Sequence, residues 1–185
     1  MSKSLYAVGS YKEYDMNNRF FNINLAGGAL LDIGVYALSL MRSFMAETPD
    51  QVMSQVRFAL TGTDEQASII LMNKEQQMAA ITPPMHSKQP KRAMISCEKG
   101  YIEIMEYPRA DKAIIVDAAS GAVTPVEAGE TKRALEYEMR DMEEAVQSGD
   151  VSRMQMPFTR DVMNIMTDLR KNWGLVYPEE SRKTE

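Results

Sequence analysis

Residues that bind metals or form disulfides are scarce in this sequence, which has one cysteine and one histidine among 185 residues. A single cysteine cannot form an internal disulfide, and Cys97 lies in an apolar stretch where a thiol behaves as a small hydrophobe. His86 lies in a proline-rich loop, without neighbours at the spacing of a metal site. We therefore expect a chain that binds no metal and works in the reducing cytoplasm.

Clusters of positive charge and long apolar runs are also lacking. The net charge is −5, and the one basic cluster, Lys88, Lys91 and Arg92, has the pattern of a solvated loop. The most apolar segment, residues 25–45, contains Asp32 and Arg42 and is too mixed to cross a bilayer. Neither nucleic acid nor a membrane is an expected partner.

The clearest element in the sequence is a helix predicted over residues 29–45. This stretch contains no proline and one internal glycine, Gly34. Apolar residues stand on nearly every side of it, with a stripe at helical spacing formed by Leu31, Val35, Leu38 and Met45. Because a helix that is apolar all round must be buried, we expect it to run through the middle of the domain.

From residue 51 to residue 128 the hydrophobic pattern changes to a period of two, with turn signals at regular intervals. Such a pattern predicts consecutive antiparallel strands, and a further strand is predicted over residues 5–11. Two helices follow: residues 131–148, and residues 159–173 with Thr159 as the cap. The first of these has one apolar face, made of Leu135, Met139, Met142 and Val146.

This order of elements predicts an α+β fold: one large, mostly antiparallel open β-sheet of six to eight strands, with helices on one face. Residues 1–178 would form the domain, and residues 179–185 a frayed, charged tail. The face without helices would be exposed or covered by a second subunit. Met53, Met94 and Met105 lie in predicted strands and are suited to face a partner sheet.

Two polar side chains on the apolar helix are the main candidates for chemistry. Asp32 and Tyr36 are four residues apart, so they share one helix face. A carboxylate buried without partners is costly, which favours a specific ligand, although an aspartate in a first turn also stabilises the helix dipole. Gly27 and Gly28 precede the helix and would allow a ligand to approach its unpaired amides. Together these features predict a small polar pocket with an acid, a phenol and free amide donors.

The segment from Arg19 to Ser39, which includes Gly27-Gly-Ala-Leu-Leu-Asp-Ile-Gly-Val-Tyr36, resembles the opening of the C-terminal domain in one oxidoreductase family. This is the glucose–fructose oxidoreductase/inositol dehydrogenase/rhizopine catabolism (Gfo/Idh/MocA) family. The tyrosine form is similar to the branch that contains dimeric dihydrodiol dehydrogenases. The strand-rich middle and two closing helices extend the resemblance along nearly the whole chain.

The resemblance implies roles for individual residues. Tyr36 would donate or accept a proton at the reacting hydroxyl of a sugar, polyol or diol, and Asp32 would hold the substrate or tune its neighbour. Arg19, Gly27 and Gly28 match the loop beside the substrate, where a purely structural role is equally compatible. The resemblance also implies NAD or NADP as the cofactor and a homo-oligomer through the open sheet face.

The cofactor half implied by this resemblance is not found in these residues. A Rossmann domain has a Gly-x-Gly-x-x-Gly turn, and residues 27–28 lack that spacing. Without a Rossmann partner the isolated chain is expected to be catalytically inert. Two further hypotheses remain open: an assembly module, and a stand-alone carbohydrate-binding protein without redox activity.

Overall fold

The computed structural model describes residues 12–181 of the chain, without the side chain of residue 181. Within this range the chain forms seven strands and four α-helices. The strand predicted over residues 5–11 lies outside the described residues.

The strands divide into two antiparallel sheets. The first sheet has the order β1-β2-β3, and the second has the order β4-β5-β6-β7. In the first sheet the strands are β1 (Gln51–Phe58), β2 (Asp64–Met72) and β3 (Met78–Ile81). In the second sheet they are β4 (Arg92–Cys97), β5 (Gly100–Met105), β6 (Lys112–Asp117) and β7 (Val123–Glu127). The α+β class, the antiparallel pairing and the number of strands are confirmed.

The prediction of one continuous sheet is wrong, because the strands separate between β3 and β4. Residues 82–91 contain Pro83, Pro84 and Pro90. Proline has no backbone N–H to donate to a ladder, so this segment does not pair as a central strand. Among residues 12–181, only an isolated bridge between Gln66 and Pro84 extends the first sheet.

The predicted core helix is present as two consecutive segments. Leu30–Gly34 is a π-helix, and α1 (Val35–Phe44) continues it. By length and composition the stretch Ile23–Phe44, with a mean hydropathy of 1.5, would also suit a membrane span. In the fold it belongs to the core, because Leu30, Leu38 and Met41 are fully buried in the main apolar cluster. One side remains open, at Tyr36 and the two serines of α1.

The main apolar cluster joins the core helix to the inner faces of the strands and to α3 (Met156–Trp173). In β2, Ala67, Ile69 and Leu71 point into the cluster, while the residues between them point away. On the side of α3, the buried residues are Val162, Ile165, Met166 and Leu169. The helix begins three residues earlier than predicted, and the residue at its N-cap is Gln155 rather than Thr159.

Two features near the C-terminus differ from the expectations. Helix α2 (Ala134–Ser148) has its predicted apolar face, but Leu135, Met139, Met142 and Val146 are all more than half exposed. The charged tail predicted from residue 179 begins instead as the short helix α4 (Pro178–Ser181). Both carboxylate oxygens of Glu180 accept hydrogen bonds from Arg170, at 3.0 and 2.9 Å, and this pair of bonds holds the segment in place.

Candidate functional site

Asp32 and Tyr36 lie in an open groove of about 530 Å³ at the start of the core helix. Asp32 belongs to the π-helical segment and Tyr36 to the first turn of α1. The Asp32 side chain is 23% exposed, and Tyr36 as a residue is 50% exposed. The predicted pair therefore shares one cavity, and both side chains have access to it. Short π-helical segments are often found at functional sites.

Arg19 is the partner of the Asp32 carboxylate. Its guanidinium nitrogen Nη2 donates to Asp32 Oδ1 at 3.1 Å, and the group lies 4.1 Å from the centre of the Phe20 ring. The Arg19 side chain is largely exposed, so the ion pair adds little stability. A ligand hydroxyl can therefore replace Arg19 at the carboxylate at small energetic cost.

Gly27 and Gly28 lie beside a second, smaller depression of about 110 Å³, which they share with Arg19 and Asp32. A Cβ atom at Gly27 would lie 2.5 Å from the carbonyl oxygen of Arg19, so only glycine fits there. Asp32 lies at the boundary between the two cavities, because it lines both. All five predicted site residues are thus brought together.

The prediction of free amide donors at the helix entrance is wrong. The Gly27 amide donates to Asn22 O and the Gly28 amide to Phe20 O, each at 3.0 Å. The Leu30 amide donates to Oδ2 of Asp64 at 2.6 Å. The chain before the helix folds back on itself, and a carboxylate from β2 takes the place that a ligand anion would need.

The opposite wall of the groove comes from side chains between residue 91, just before β4, and residue 131, shortly before α2. Lys91 and Glu106 form an ion pair at 3.4 Å, and the 3₁₀ turn Tyr107–Arg109 lies beside them. Asp111 accepts a hydrogen bond from the Thr131 amide at 3.2 Å, which lowers the pKa of its carboxyl group below the usual range. This wall therefore presents both positively and negatively charged side chains to the groove.

None of these wall residues was identified from the sequence. Lys91 has the sequence pattern of a solvated basic loop, and the other wall residues follow no motif. They lie between 55 and 95 residues beyond Tyr36 in the chain, so only the packing of the second sheet brings them to the groove.

The other polar candidates do not form a site. His86 Nδ1 lies 3.2 Å from Glu65 Oε1, and its ring lies near those of Tyr14 and Phe21. Within residues 12–181 there is no group of three or more side chains able to hold a metal ion. The groove is therefore suited to hydrogen bonding and proton exchange through a carboxylate and a phenol.

The chain is similar to known proteins in both sequence and fold. The family model described as the GFO/IDH/MocA C-terminal domain matches residues 5–103. Trans-1,2-dihydrobenzene-1,2-diol dehydrogenase from Danio rerio is 26% identical over 168 residues, which is 86% of this chain and 50% of that protein. The enzyme of the same name from Xenopus tropicalis is 27% identical over 165 residues. The chain spans about half the length of the curated relatives it matches.

Solved structures share the fold. KijD10, a 3-ketoreductase from Actinomadura kijaniata in complex with NADP and TDP-benzene, superposes with a TM-score of 0.76 and 16% identity. The match covers 92% of this chain and 53% of KijD10. An aldose-aldose oxidoreductase from Caulobacter crescentus complexed with glycerol gives a TM-score of 0.68 and 18% identity, covering 88% of this chain and 53% of that one.

Proposed function

This chain belongs to the GFO/IDH/MocA family, and from that premise we propose that it is the substrate-binding domain of an oxidoreductase acting on a hydroxyl group of a sugar, polyol or diol. The observation that carries the proposal is the open groove that contains both Asp32 and Tyr36. Relatives named as diol dehydrogenases support the class of substrate.

We propose a separate role for each of the two residues. The half-exposed phenol of Tyr36 donates or accepts a proton at the reacting hydroxyl. Asp32, one turn earlier, accepts a hydrogen bond from a second hydroxyl of the substrate. Arg19 orients the Asp32 carboxylate until the substrate arrives.

The described residues do not fit a nicotinamide dinucleotide. Within residues 12–181 all strands pair in the antiparallel sense. This range contains no parallel βαβ unit with the glycine turn that holds a pyrophosphate. We propose that a Rossmann domain supplies NAD or NADP, and that these 185 residues alone lack redox activity.

The exposed apolar face of α2 is suited to dock such a domain. Met139 and Val146 are 70% and 77% exposed, and this face presents four large apolar side chains without cover from the described residues. Thr131, which lines the groove, begins the 3₁₀ turn before α2, so a domain docked on α2 would lie close to the groove.

The outer sheet faces support a homo-oligomer. Met53 and Ile70 are cross-strand partners on the face of the first sheet that points away from the core, and they are 71% and 45% exposed. Met94 and Met105 lie on the corresponding outer face of the second sheet. Sedimentation velocity of the chain and of Ile70→Lys tests this proposal: the variant should be monomeric, and a monomeric unmodified chain at high concentration would contradict it.

Binding of a hydroxylated probe tests the substrate role. Titration with xylitol and with trans-1,2-cyclohexanediol should shift the NMR signals of Asp32, Tyr36 and the opposite wall. Tyr36→Phe should weaken binding about tenfold, since it removes one hydrogen bond to the ligand. Tyr101→Phe, on β5 and outside the groove, is the matched control and should bind like the unmodified chain. Shifts confined to other surfaces, or equal affinity for both tyrosine variants, would contradict the proposal.

A further inference from the structure

The start of the core helix, which carries Asp32 and Tyr36, is held by a carboxylate from a distant part of the sequence. Asp64 is the first residue of β2 and is fully buried. Its Oδ2 accepts the hydrogen bond from the Leu30 amide, 34 residues away, while Oδ1 has no hydrogen-bond partner within the described part of the chain. Burying a carboxylate with one oxygen unsatisfied is unfavourable. The hydrogen bond from the Leu30 amide is the main interaction that offsets this cost.

The helix has no local substitute for this contact. Ala29, at the N-cap position, has no side-chain oxygen to accept an amide hydrogen bond. The first turn is also π-helical, so its internal bonds are not those of a regular α-helix. Asp64 therefore acts as a helix cap supplied by another element.

The loop before the helix is shaped around the same carboxylate. Gly28 has a φ of +137°, and a Cβ atom there would lie 2.0 Å from Asp64 Oδ1. The Tyr177 hydroxyl donates to the carbonyl oxygen of Gly27 at 2.9 Å. Two side chains from distant parts of the sequence thus hold two nearby peptide groups, 27–28 and 29–30, at the entrance of the helix.

The candidate site residues depend directly on this turn. The Asp32 amide donates to the Gly28 carbonyl at 3.3 Å, and Tyr36 follows one turn later. A shift of the first turn would move the carboxylate of Asp32 relative to the phenol and to the opposite wall of the groove.

We propose that Asp64 is a positioning residue for the groove: through the Leu30 amide it fixes the first turn of the helix, and so the placement of Asp32 and Tyr36. The geometric part of this inference concerns the fold alone, whereas its effect on substrate rests on the proposed function.

Hydrogen exchange in the full chain tests the positioning role. In Asp64→Ala the amides of residues 29–36 should exchange about tenfold faster or more relative to those of α3, the factor expected for one hydrogen bond. Asp64→Asn keeps a side-chain oxygen as acceptor and should restore the protection to within a few fold.

Asp161→Ala is the matched control, because it removes a carboxylate of α3 that pairs with Arg42 at 2.7 Å, away from the groove. It should lower the melting temperature without selective loosening of residues 29–36. Equal protection of this segment in Asp64→Ala and in the unmodified chain, or the same selective loosening in Asp161→Ala, would overturn the proposal.

If Asp64→Ala does not fold, the asparagine variant and Tyr177→Phe decide the question. The phenylalanine variant loses only the hydroxyl that holds Gly27, and it should loosen residues 27–30 selectively. A tenfold loss of protection in Asp64→Asn, or no change in Tyr177→Phe, would then refute the proposal. Xylitol titration of the same variants separates the two proposals. If Asp64→Ala alters hydrogen exchange but the unmodified chain binds no polyol, the proposed function is refuted and the positioning role of Asp64 is retained.

Discussion

Replacing Asp64 by asparagine should remove a pH dependence of stability that this one carboxyl group imposes on the chain. Burial raises the pKa of Asp64 from 3.8 to about 7, against the opposing effect of the Leu30 and Ala29 amides and of Arg170. Between these two pKa values the folded chain keeps a proton that the unfolded chain releases. The free energy of unfolding therefore decreases as the pH rises from about 4 to about 7.

The size of the effect follows from the shift. About three pKa units correspond to about 4 kcal/mol, of which roughly 3 kcal/mol is lost between about pH 5 and about pH 8. For a chain of this size such a loss lowers the melting temperature by about 6–12 °C. Asp64→Asn has no proton to release, so its stability should lack this decrease.

Urea unfolding of both proteins at about pH 5 and about pH 8 measures the difference. Tyr177 and Glu180 keep the same charge throughout this window, because burial raises the pKa of Tyr177 above its usual range and the hydrogen bonds from Arg170 lower the pKa of Glu180. Groups elsewhere titrate alike in the two proteins and cancel in the comparison. Parallel stability curves for the two proteins would show that Asp64 does not hold a proton in the folded state.

Two further substitutions test the packing around the core helix. Gly28→Ala should lower the free energy of unfolding by about 3 kcal/mol or more, because the added methyl group clashes with the buried carboxylate of Asp64 and the φ at this position is unfavourable for alanine. Gly121→Ala has open space around it and should lower the free energy of unfolding by only about 1 kcal/mol. Arg42→Met should lower the free energy of unfolding by about 2–3 kcal/mol, because it leaves the carboxylate of Asp161 without its buried partner. Arg133→Met, which removes an exposed ion pair, should lower the stability much less than Arg42→Met. Urea midpoints would measure all four, and equal losses within either pair would contradict the reasoning.

Local patterns predicted much of this protein. Alternation of apolar residues and the positions of turn residues located all seven strands of the described range to within a few residues, because both signals act over short distances. The segment from Arg19 to Tyr36 also predicted the candidate pair and the family. This was possible because Asp32 and Tyr36, on one wall of the groove, lie within one short stretch of the chain.

Features that depend on contacts between distant segments were decided by the tertiary structure. Three prolines separate the strands into two sheets, and the far wall of the groove comes from residues more than fifty positions beyond Tyr36. The sequence predicted the apolar stripe of α2, but not that the described residues leave it exposed. Asp64 carries no local signal at all. Whether a carboxylate becomes a solvated surface group or a buried cap depends on which backbone amide the fold places 2.6 Å from it.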